Sequence, residues 1–261
     1  MTKKPLILVT NDDGVNSRGI QSLINCLRGE GNIFVVAPDG PRSAQSSAIT
    51  VNEPLRARKI LEENDLTVFK CSGTPTDCVK LSLNQLLPHK PDLLVSGINH
   101  GPNSSISILY SGTMGATLEG AVNNIPSIGF SHCSLDPRAD MSEAMKYANI
   151  ISKLALKNGL PDGICLNVNI PHDKEIKGVK VVKQTKGFWT EEFVKREDPN
   201  GRDYYWLTGV FKNTETEDEE TDEFALNKGY VSIVPCKIDL TAHQFINTLK
   251  TWEYELGTKK K

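Results

Sequence analysis

Apolar and polar positions alternate over the first two thirds of the chain in a pattern that predicts strands and helices in turn. Short apolar runs bounded by turn residues predict buried strands, and apolar positions three or four residues apart predict helices between them. The strands predicted in this way are residues 6–10, 33–37, 66–71, 92–96, 127–131 and 164–170. The helices cover about 20–27, 74–87, 113–122 and 141–157.

This alternation predicts an α/β fold, in which a mainly parallel, doubly wound sheet carries helices on both faces. Ligands of such sheets bind beyond the carboxyl ends of the strands. We therefore expect functional residues in the loops that follow predicted strands.

The pattern changes after about residue 178. A strand is predicted over 179–184, and residues 186–213 combine aromatic side chains with the hairpin signal Asn200-Gly201. This aromatic hairpin either covers the core or extends as an arm onto a partner subunit. Residues 215–223 carry seven acids and are predicted to be a solvated loop.

A last amphipathic helix is predicted over about 241–256, with Gly257 as its stop signal. Its apolar stripe either packs on its own subunit or docks across a dimer. The terminal residues Lys259–Lys261 are expected to fray.

Composition narrows the class of protein without identifying it. The net charge is −2 over 261 residues, so the chain lacks the excess of basic residues typical of nucleic-acid-binding proteins. Without the acidic run, the remainder would carry a net charge of +5, which suits an anionic substrate. The six cysteines form no CxxC pair and are expected to be reduced core thiols. No apolar stretch suits a signal peptide or a membrane span, so the expected compartment is the cytoplasm.

The segment Asn11-Asp12-Asp13-Gly14 follows the first predicted strand and carries the strongest chemical signal. Two adjacent carboxylates at the end of a buried strand repel each other, and a divalent cation would relieve that repulsion because hard cations take oxygen ligands. Taken alone, the segment fits a solvated turn equally well.

Two further loops supply oxygen atoms that fit the same cation. Ser43 lies in the loop after the second predicted strand, and Asn99 follows the strand at 92–96. Together with Asp12 and Asp13 they form an all-oxygen set that suits Mg²⁺ or Mn²⁺ better than zinc. His100 is the nearby imidazole, and we expect it to remain outside the metal shell.

A fourth segment, at residues 110–116, places small and hydroxyl-bearing residues at a helix start. Helix N-termini bind phosphate, although Ser111 or Thr113 could equally be a simple cap. The glycine spacing matches neither a P-loop nor a dinucleotide fingerprint. The aspartyl-phosphate phosphatase motif is also excluded, because Asn11 occupies the position of the nucleophilic Asp, and adjacent aspartates do not fit the Asp-x-Asp of glycosyltransferases.

These segments together resemble the SurE family, the survival protein E phosphatases, in the expected order along nearly the whole chain. The matching stretches are LVTNDDGV (8–15), VVAPDGPRSA (35–44), SGTPTDCV (72–79), VSGINHGPN (95–103), YSGTMGATLEG (110–120) and GYVSIVPCKIDLTAH (229–243). The resemblance implies a metal-dependent 5′-nucleotidase that also accepts 3′-nucleotides and short polyphosphate.

Carried over by position, the resemblance implies that Asp12, Asp13, Ser43 and Asn99 hold one divalent metal per subunit. Asn99, Ser111, Gly112 and Thr113 would hold the substrate phosphate, and Asp12 and Asp13 would be catalytic.

The resemblance also implies a Rossmann-like core at 1–185 and an oligomerisation region at 186–261. Within that region, a hairpin arm at about 186–232 and an exchanged C-terminal helix at about 241–256 would build a homodimer, or in some cases a tetramer.

The sequence-based hypothesis is hydrolysis of nucleoside monophosphates by metal-activated water, with no membrane and no nucleic-acid polymer as partner. Asp12 or Asp13 would orient the water or take its proton. Two alternatives remain open at this point: a metal-dependent nucleotide sensor without catalysis, and an amide or acetyl hydrolase with the same metal.

Overall fold

A computed structural model describes residues 4–256 and confirms the α/β fold class. The predicted helix stop at Gly257 and the terminal lysines lie outside the described residues. In chain order the strands are β1 Leu6–Thr10, β2 Asn32–Pro38, β3 Ala57–Glu62, β4 Leu66–Cys71, β5 Leu93–His100, β6 Ser127–His132, β7 Ile164–Ile170, β8 Gly178–Val181, β9 Gly187–Thr190, β10 Phe193–Glu197, β11 Asp203–Leu207, β12 Val210–Asn213 and β13 Tyr230–Lys237.

Nine of these strands form one sheet in the order β3-β4-β2-β1-β5-β6-β7-β13-β8. The six strands from β4 to β7 in this order are parallel to one another, as the sequence pattern predicts. From β1 the chain adds strands on one side of the sheet, and after β4 it returns to add β5 on the other side of β1. The strand order therefore reverses between β1 and β5, and ligands of such folds bind at this topological switch point.

Helices cover both faces of the sheet. They are α1 Arg18–Leu27, α2 Pro75–Leu81, α3 Gly112–Val122, α4 Ser142–Asn158, α5 Asp222–Asn227 and α6 His243–Glu255. Alternate side chains of β1 serve the two faces: Ile7 and Val9 pack with the cluster under α1 and α4, whereas Leu8 packs with the cluster under α2 and α3. This alternation follows from the two-residue period of a strand.

The structure corrects several sequence-based boundaries. The exposed edge strand β3 has no uniform apolar run and was not predicted, because an edge strand need not be buried on both faces. Strand β5 continues beyond the predicted end at residue 96 to His100, and a 3₁₀ helix at Ser105–Leu109 precedes α3.

A hairpin is present where the sequence predicts one, but its four strands span residues 187–213 rather than the 186–232 expected for the arm, and we call residues 187–213 the arm below. β9 pairs with β12, β10 pairs with β11, and Gly201 adopts a left-handed φ of 75° in the turn that its Asn-Gly signal predicts. Beyond the arm, β13 returns to the central sheet and pairs with β7 and β8. The proposed division of the chain at residue 185 stays a prediction.

The prediction of a solvated loop at 215–223 is wrong in its last part. Asp222 is fully buried at the start of α5, and its carboxylate accepts hydrogen bonds from the backbone amides of Ser105 (2.8 Å) and Thr185 (3.0 Å) and from the Thr185 hydroxyl (2.5 Å). Sequence composition cannot separate one buried, fully bonded acid from its exposed neighbours. This acid ties α5 to the 3₁₀ helix that leads into α3.

Within residues 4–256, no helix combines the length and the apolar character that crossing a membrane requires.

Candidate active site

Asn11 organises the turn that follows β1. Its side-chain amide donates to the Gly14 carbonyl at 3.0 Å and to the Ser17 hydroxyl at 2.8 Å, which itself caps α1. Gly14 has a φ of +94°, a conformation that other residues rarely adopt. Asn11 therefore has a structural role, and the turn it holds presents Asp12 and Asp13 at the carboxyl edge of the sheet.

Asp12 is only 4% exposed, and its Oδ1 accepts a hydrogen bond from the Thr113 hydroxyl at 2.6 Å. Burial raises the pKa of Asp12 to about 6, the nearby Asp13 charge adds to this, and the Thr113 hydrogen bond opposes it. The carboxylate is thus held firmly in place while its negative charge lacks full compensation.

Asp13 is in a similar electrostatic position. Burial raises its pKa, and the hydrogen bond from the His100 backbone amide only partly opposes that rise. Its Oδ2 is buried without a hydrogen-bond partner among the described residues. Since a buried, unpaired carboxylate oxygen is unfavourable, this atom is suited to a cation.

Asn99 presents an oxygen rather than a nitrogen to the same region. Its side-chain amide group donates to the carbonyls of Gly101 (2.8 Å) and His100 (3.3 Å), which leaves its carbonyl oxygen free to act as an acceptor or ligand. Ser43 is exposed in the loop after β2 and lines the same cavity.

The donor set therefore fits a hard divalent cation: two carboxylates with uncompensated charge, one amide carbonyl and one hydroxyl. No cluster of three or more His, Cys, Asp or Glu side chains suited to a metal occurs in the described part of the chain. A cation here would accordingly rely on neutral oxygen ligands and water beside the two aspartates.

The start of α3 lies against Asp12. Ser111 caps the helix by accepting a hydrogen bond from the Met114 amide at 3.1 Å. A Cβ on Gly112 would stand 2.8 Å from the Cβ of Asp12, so only glycine allows this approach. The amides of the first helical turn then lie beside Asp12, and amides at a helix start bind anions.

The structure thus brings five of the predicted site residues to one cavity of about 580 Å³: Asp12, Asp13, Ser43, Asn99 and Ser111. Gly112 and Thr113 contact Asp12 but are not among the residues that line this cavity. His100 also lines this cavity, and burial lowers the pKa of its imidazole.

Several lining residues carried no predicted role. Trp189, Glu192, Leu207 and Thr208 belong to the arm, and Tyr110 precedes α3. The only sequence signal for them was the aromatic character of the arm. Their proximity to the aspartates depends on how the arm folds back over the sheet edge.

The loop-to-helix junction at the start of α2 is a helix cap. Thr74 and Asp77 form a reciprocal capping box at the start of α2, and Asp77 also accepts from Thr50. These hydrogen bonds outweigh burial and lower the pKa of Asp77.

Comparison with known proteins places these features in one family. The family model described as "Survival protein SurE" matches residues 7–191. A protein from Phocaeicola vulgatus named "5′-nucleotidase SurE" is 50% identical over 254 residues, which are 97% of this chain and 99% of that protein. A Flavobacterium johnsoniae protein of the same name is 52% identical, covering 96% and 98%.

A solved structure shares the fold as well. The crystal structure of the SurE protein from Aquifex aeolicus matches with a TM-score of 0.82 and 40% identity, covering 95% of this chain and 100% of that one.

Proposed function

Because the chain belongs to the survival protein SurE family, we propose that it is a divalent-metal-dependent 5′-nucleotidase that releases inorganic phosphate from nucleoside 5′-monophosphates. The observation that carries the proposal is the meeting of a buried aspartate, Asp12, and a half-buried one, Asp13, both lacking charge compensation, with a helix N-terminus at the switch point of the sheet. The proposed substrates extend to 3′-nucleotides and short polyphosphate.

Asp12, Asp13, Ser43 and Asn99 would hold one Mg²⁺ or Mn²⁺. When bound, the cation would offset the negative charge that develops on the phosphate and make a water molecule more acidic. Asp12 is kept in position by the Thr113 hydroxyl, and Asp13 offers a free oxygen that can orient a water or accept its proton.

The phosphate would lie at the start of α3, close to Asn99. The Ser111 side chain, which lines the cavity, would contact the phosphate, and the first-turn amides of Gly112 and Thr113 beside Asp12 would donate to its oxygen atoms. Because the helix fixes these amides, they require no reorganisation during the reaction. No side chain in the cavity needs to form a covalent phospho-enzyme in this scheme.

The test is release of phosphate from AMP by the purified protein with added Mn²⁺ or Mg²⁺, compared with an Asp12→Asn variant. We expect the variant to lose at least about 100-fold in turnover, because it removes a charged ligand of the cation. Asp162→Asn is the matched control, since Asp162 is exposed just before β7, at the amino ends of the parallel strands and away from the candidate site.

Three outcomes would contradict the proposal. Near-normal turnover of Asp12→Asn at unchanged metal occupancy would exclude the assigned metal site. Tight AMP binding by the native protein without phosphate release would indicate a sensor. Release of acetate or ammonia from acyl substrates, without phosphate release from AMP, would indicate an acyl hydrolase.

The protein is also proposed to act as a homodimer, or a tetramer, through residues 186–261. The proposal is supported by the exposed apolar stripe of α6, in which Phe245, Leu249 and Trp252 are 47%, 40% and 56% exposed. A cavity of about 730 Å³, with Leu118, Val234 and Leu240 in its wall, is large enough to receive such side chains from a second copy.

A further inference from the structure

The cavity at the two aspartates is much larger than phosphate chemistry requires. Its volume is about 580 Å³, whereas a water molecule occupies about 30 Å³ and a phosphate group has only five heavy atoms. Cavities of several hundred Å³ are typical of sites that enclose a whole small molecule. Most of this space is therefore available for the organic part of the phosphate ester, which departs as an alcohol when phosphate is released.

The arm supplies the remaining wall, and Trp189 is its aromatic member. The indole packs edge-on against Phe211, with the ring centroids 5.7 Å apart and an interplanar angle of 61°. The position that a Cβ on Gly209 would occupy lies only 2.9 Å from the indole Cε3 atom. These two contacts fix the ring in one orientation before any ligand arrives.

Glu192 lines the same cavity two residues after the end of β9. Its backbone carbonyl accepts a hydrogen bond from the Thr208 amide at 2.8 Å, and the Thr208 hydroxyl donates to the Glu191 carbonyl at 2.8 Å. Glu191 itself has a φ of 54°, unusual for a residue other than glycine. These hydrogen bonds hold the backbone at the junction of the arm, where Glu192 is an exposed residue in the cavity wall.

The chemistry of these two side chains selects a nucleoside. A fixed indole offers a face on which any base can stack. A carboxylate accepts hydrogen bonds from sugar hydroxyls, as an Asp or Glu does with ribose in dinucleotide-binding folds. The same carboxylate would repel a second phosphate, so a short polyphosphate would bind less favourably than a nucleoside monophosphate.

We propose that Trp189 and Glu192 form a nucleoside subsite, in which Trp189 stacks on the base and Glu192 accepts hydrogen bonds from the ribose hydroxyls. The subsite rests on the proposed nucleotidase function and specifies its substrate class. The part of the arm that lines the cavity would then determine substrate specificity, separately from the residues that hold metal and phosphate.

The first test compares AMP with ribose 5-phosphate, which has the same phosphate and sugar but no base. For Trp189→Ala we expect kcat/KM for AMP to fall about 10- to 100-fold, chiefly through KM, and kcat/KM for ribose 5-phosphate to change less than about twofold. Trp189→Phe should retain most of the activity on AMP. Phe188→Ala is the matched control, because Phe188 is exposed on the other face of the same strand and lies outside the cavity.

Equal losses on AMP and ribose 5-phosphate in Trp189→Ala would overturn the stacking role, and so would no loss on either. If the native protein releases no phosphate from either compound, the proposed function fails, and the subsite is then tested by calorimetric binding of the same two compounds with Mn²⁺. A tenfold or larger preference for AMP that disappears in Trp189→Ala supports the subsite in that case, and equal affinities overturn it.

The second test concerns Glu192→Gln, with Glu191→Gln as its neighbour control outside the cavity. We expect kcat/KM to fall about tenfold for AMP but to stay unchanged for 2′,3′-dideoxy-AMP, which lacks the hydroxyls. Any activity on tripolyphosphate should rise relative to that on AMP, because a negative charge is removed. An equal effect on AMP and its dideoxy analogue would overturn the ribose role.

Discussion

At the scale of single residues, the candidate site places Asp12 where its charge is unfavourable to the fold. Burial raises its pKa from an ordinary value near 3.8 to about 6, so that near neutral pH the folded state holds a buried carboxylate that the unfolded state would solvate. Residues of this kind are typical of functional sites, since folding alone gives no reason to keep them.

We predict that Asp12→Asn stabilises the metal-free protein while removing its activity. A raised carboxyl pKa weakens folding as the pH rises from about 4 through about 6, and Asn avoids this penalty while its carbonyl still accepts from Thr113. The free energy of unfolding in EDTA at pH 7, measured with urea, should rise by about 2 kcal/mol. The gain should vanish near pH 4.

Asp77→Asn should behave in the opposite way, which provides a control for the sign. Its pKa is lowered by hydrogen bonds from Thr50 and Thr74, so its ionised form stabilises the fold at neutral pH. Its substitution should therefore reduce the free energy of unfolding at pH 7. A loss of stability in Asp12→Asn as well would contradict the assignment of an uncompensated charge.

A second residue-scale prediction concerns the contact between α3 and Asp12. Gly112→Ala would place a Cβ 2.8 Å from the Asp12 Cβ and 3.0 Å from its Oδ2, closer than such atoms pack. Because a displacement of about 1 Å in a catalytic group can reduce the rate about 100-fold, we expect kcat to fall at least tenfold with little change in urea stability.

Gly40→Ala tests whether any extra methyl group at this sheet edge has the same effect. A Cβ on Gly40 would meet no atom within 4 Å, so this variant should keep its activity. Equal activity losses in the two variants would show that the close approach to Asp12 is not the cause.

At the scale of elements, α5 holds the 3₁₀ helix that leads into α3. Although it is fully buried, Asp222 accepts four hydrogen bonds, from the backbone amides of Ser105, Thr185 and Glu223 and from the Thr185 hydroxyl. Asp222, the buried member of the acidic segment, therefore stabilises the 3₁₀ helix that precedes the candidate phosphate site. The acidic composition of the segment did not predict this role.

We predict that Asp222→Asn destabilises the fold by about 2–3 kcal/mol, because one side-chain NH₂ group must then face the amide of Ser105 or Thr185, donor against donor. Glu219→Gln, an exposed change in the same acidic run, should lie within about 0.5 kcal/mol of the native protein. Urea unfolding measures both. Similar stabilities for the two variants would show that the buried hydrogen bonds contribute little.

At the scale of the whole molecule, helix α6 presents an exposed apolar stripe. The stripe of α6 leaves Trp252 more than half exposed in a chain of 28.8 kDa. Aromatic side chains exposed along one helical face are typical of an interface between subunits.

We predict a solution mass of at least twice 28.8 kDa for the native protein by light scattering. The double variant Leu249→Asp/Trp252→Asp should shift toward the monomer mass, because it places charges on the apolar stripe. Lys250→Asp/Thr251→Asp, which changes polar positions of the same helix, should keep the native mass. Identical masses for the native protein and both double variants would exclude α6 as the interface.

The hydrophobic pattern of the sequence was sufficient to predict the central strands, because the burial of a strand determines which residue types it contains. The strand at Leu6–Thr10 is as predicted, because it is buried along its whole length and is apolar up to its final threonine. The strands Leu66–Cys71 and Ile164–Ile170 are also as predicted, although each includes polar or half-buried positions. Edge strand β3 and helix α5 were missed because exposed strands and short capped helices leave no such signature.

The sequence by itself determined the α/β class, the family, and the strand ends and loops that carry Asp12, Ser43 and Asn99, because strand ends and short motifs are local properties of the chain. Only the tertiary structure decided that Thr113 holds Asp12, that Asp222 is a buried support and that Trp189 and Glu192 share the cavity of the aspartates. Those relations join residues about 40 to 180 positions apart. Their strength depends on burial, which arises only when the sheet, the helices and the arm have packed.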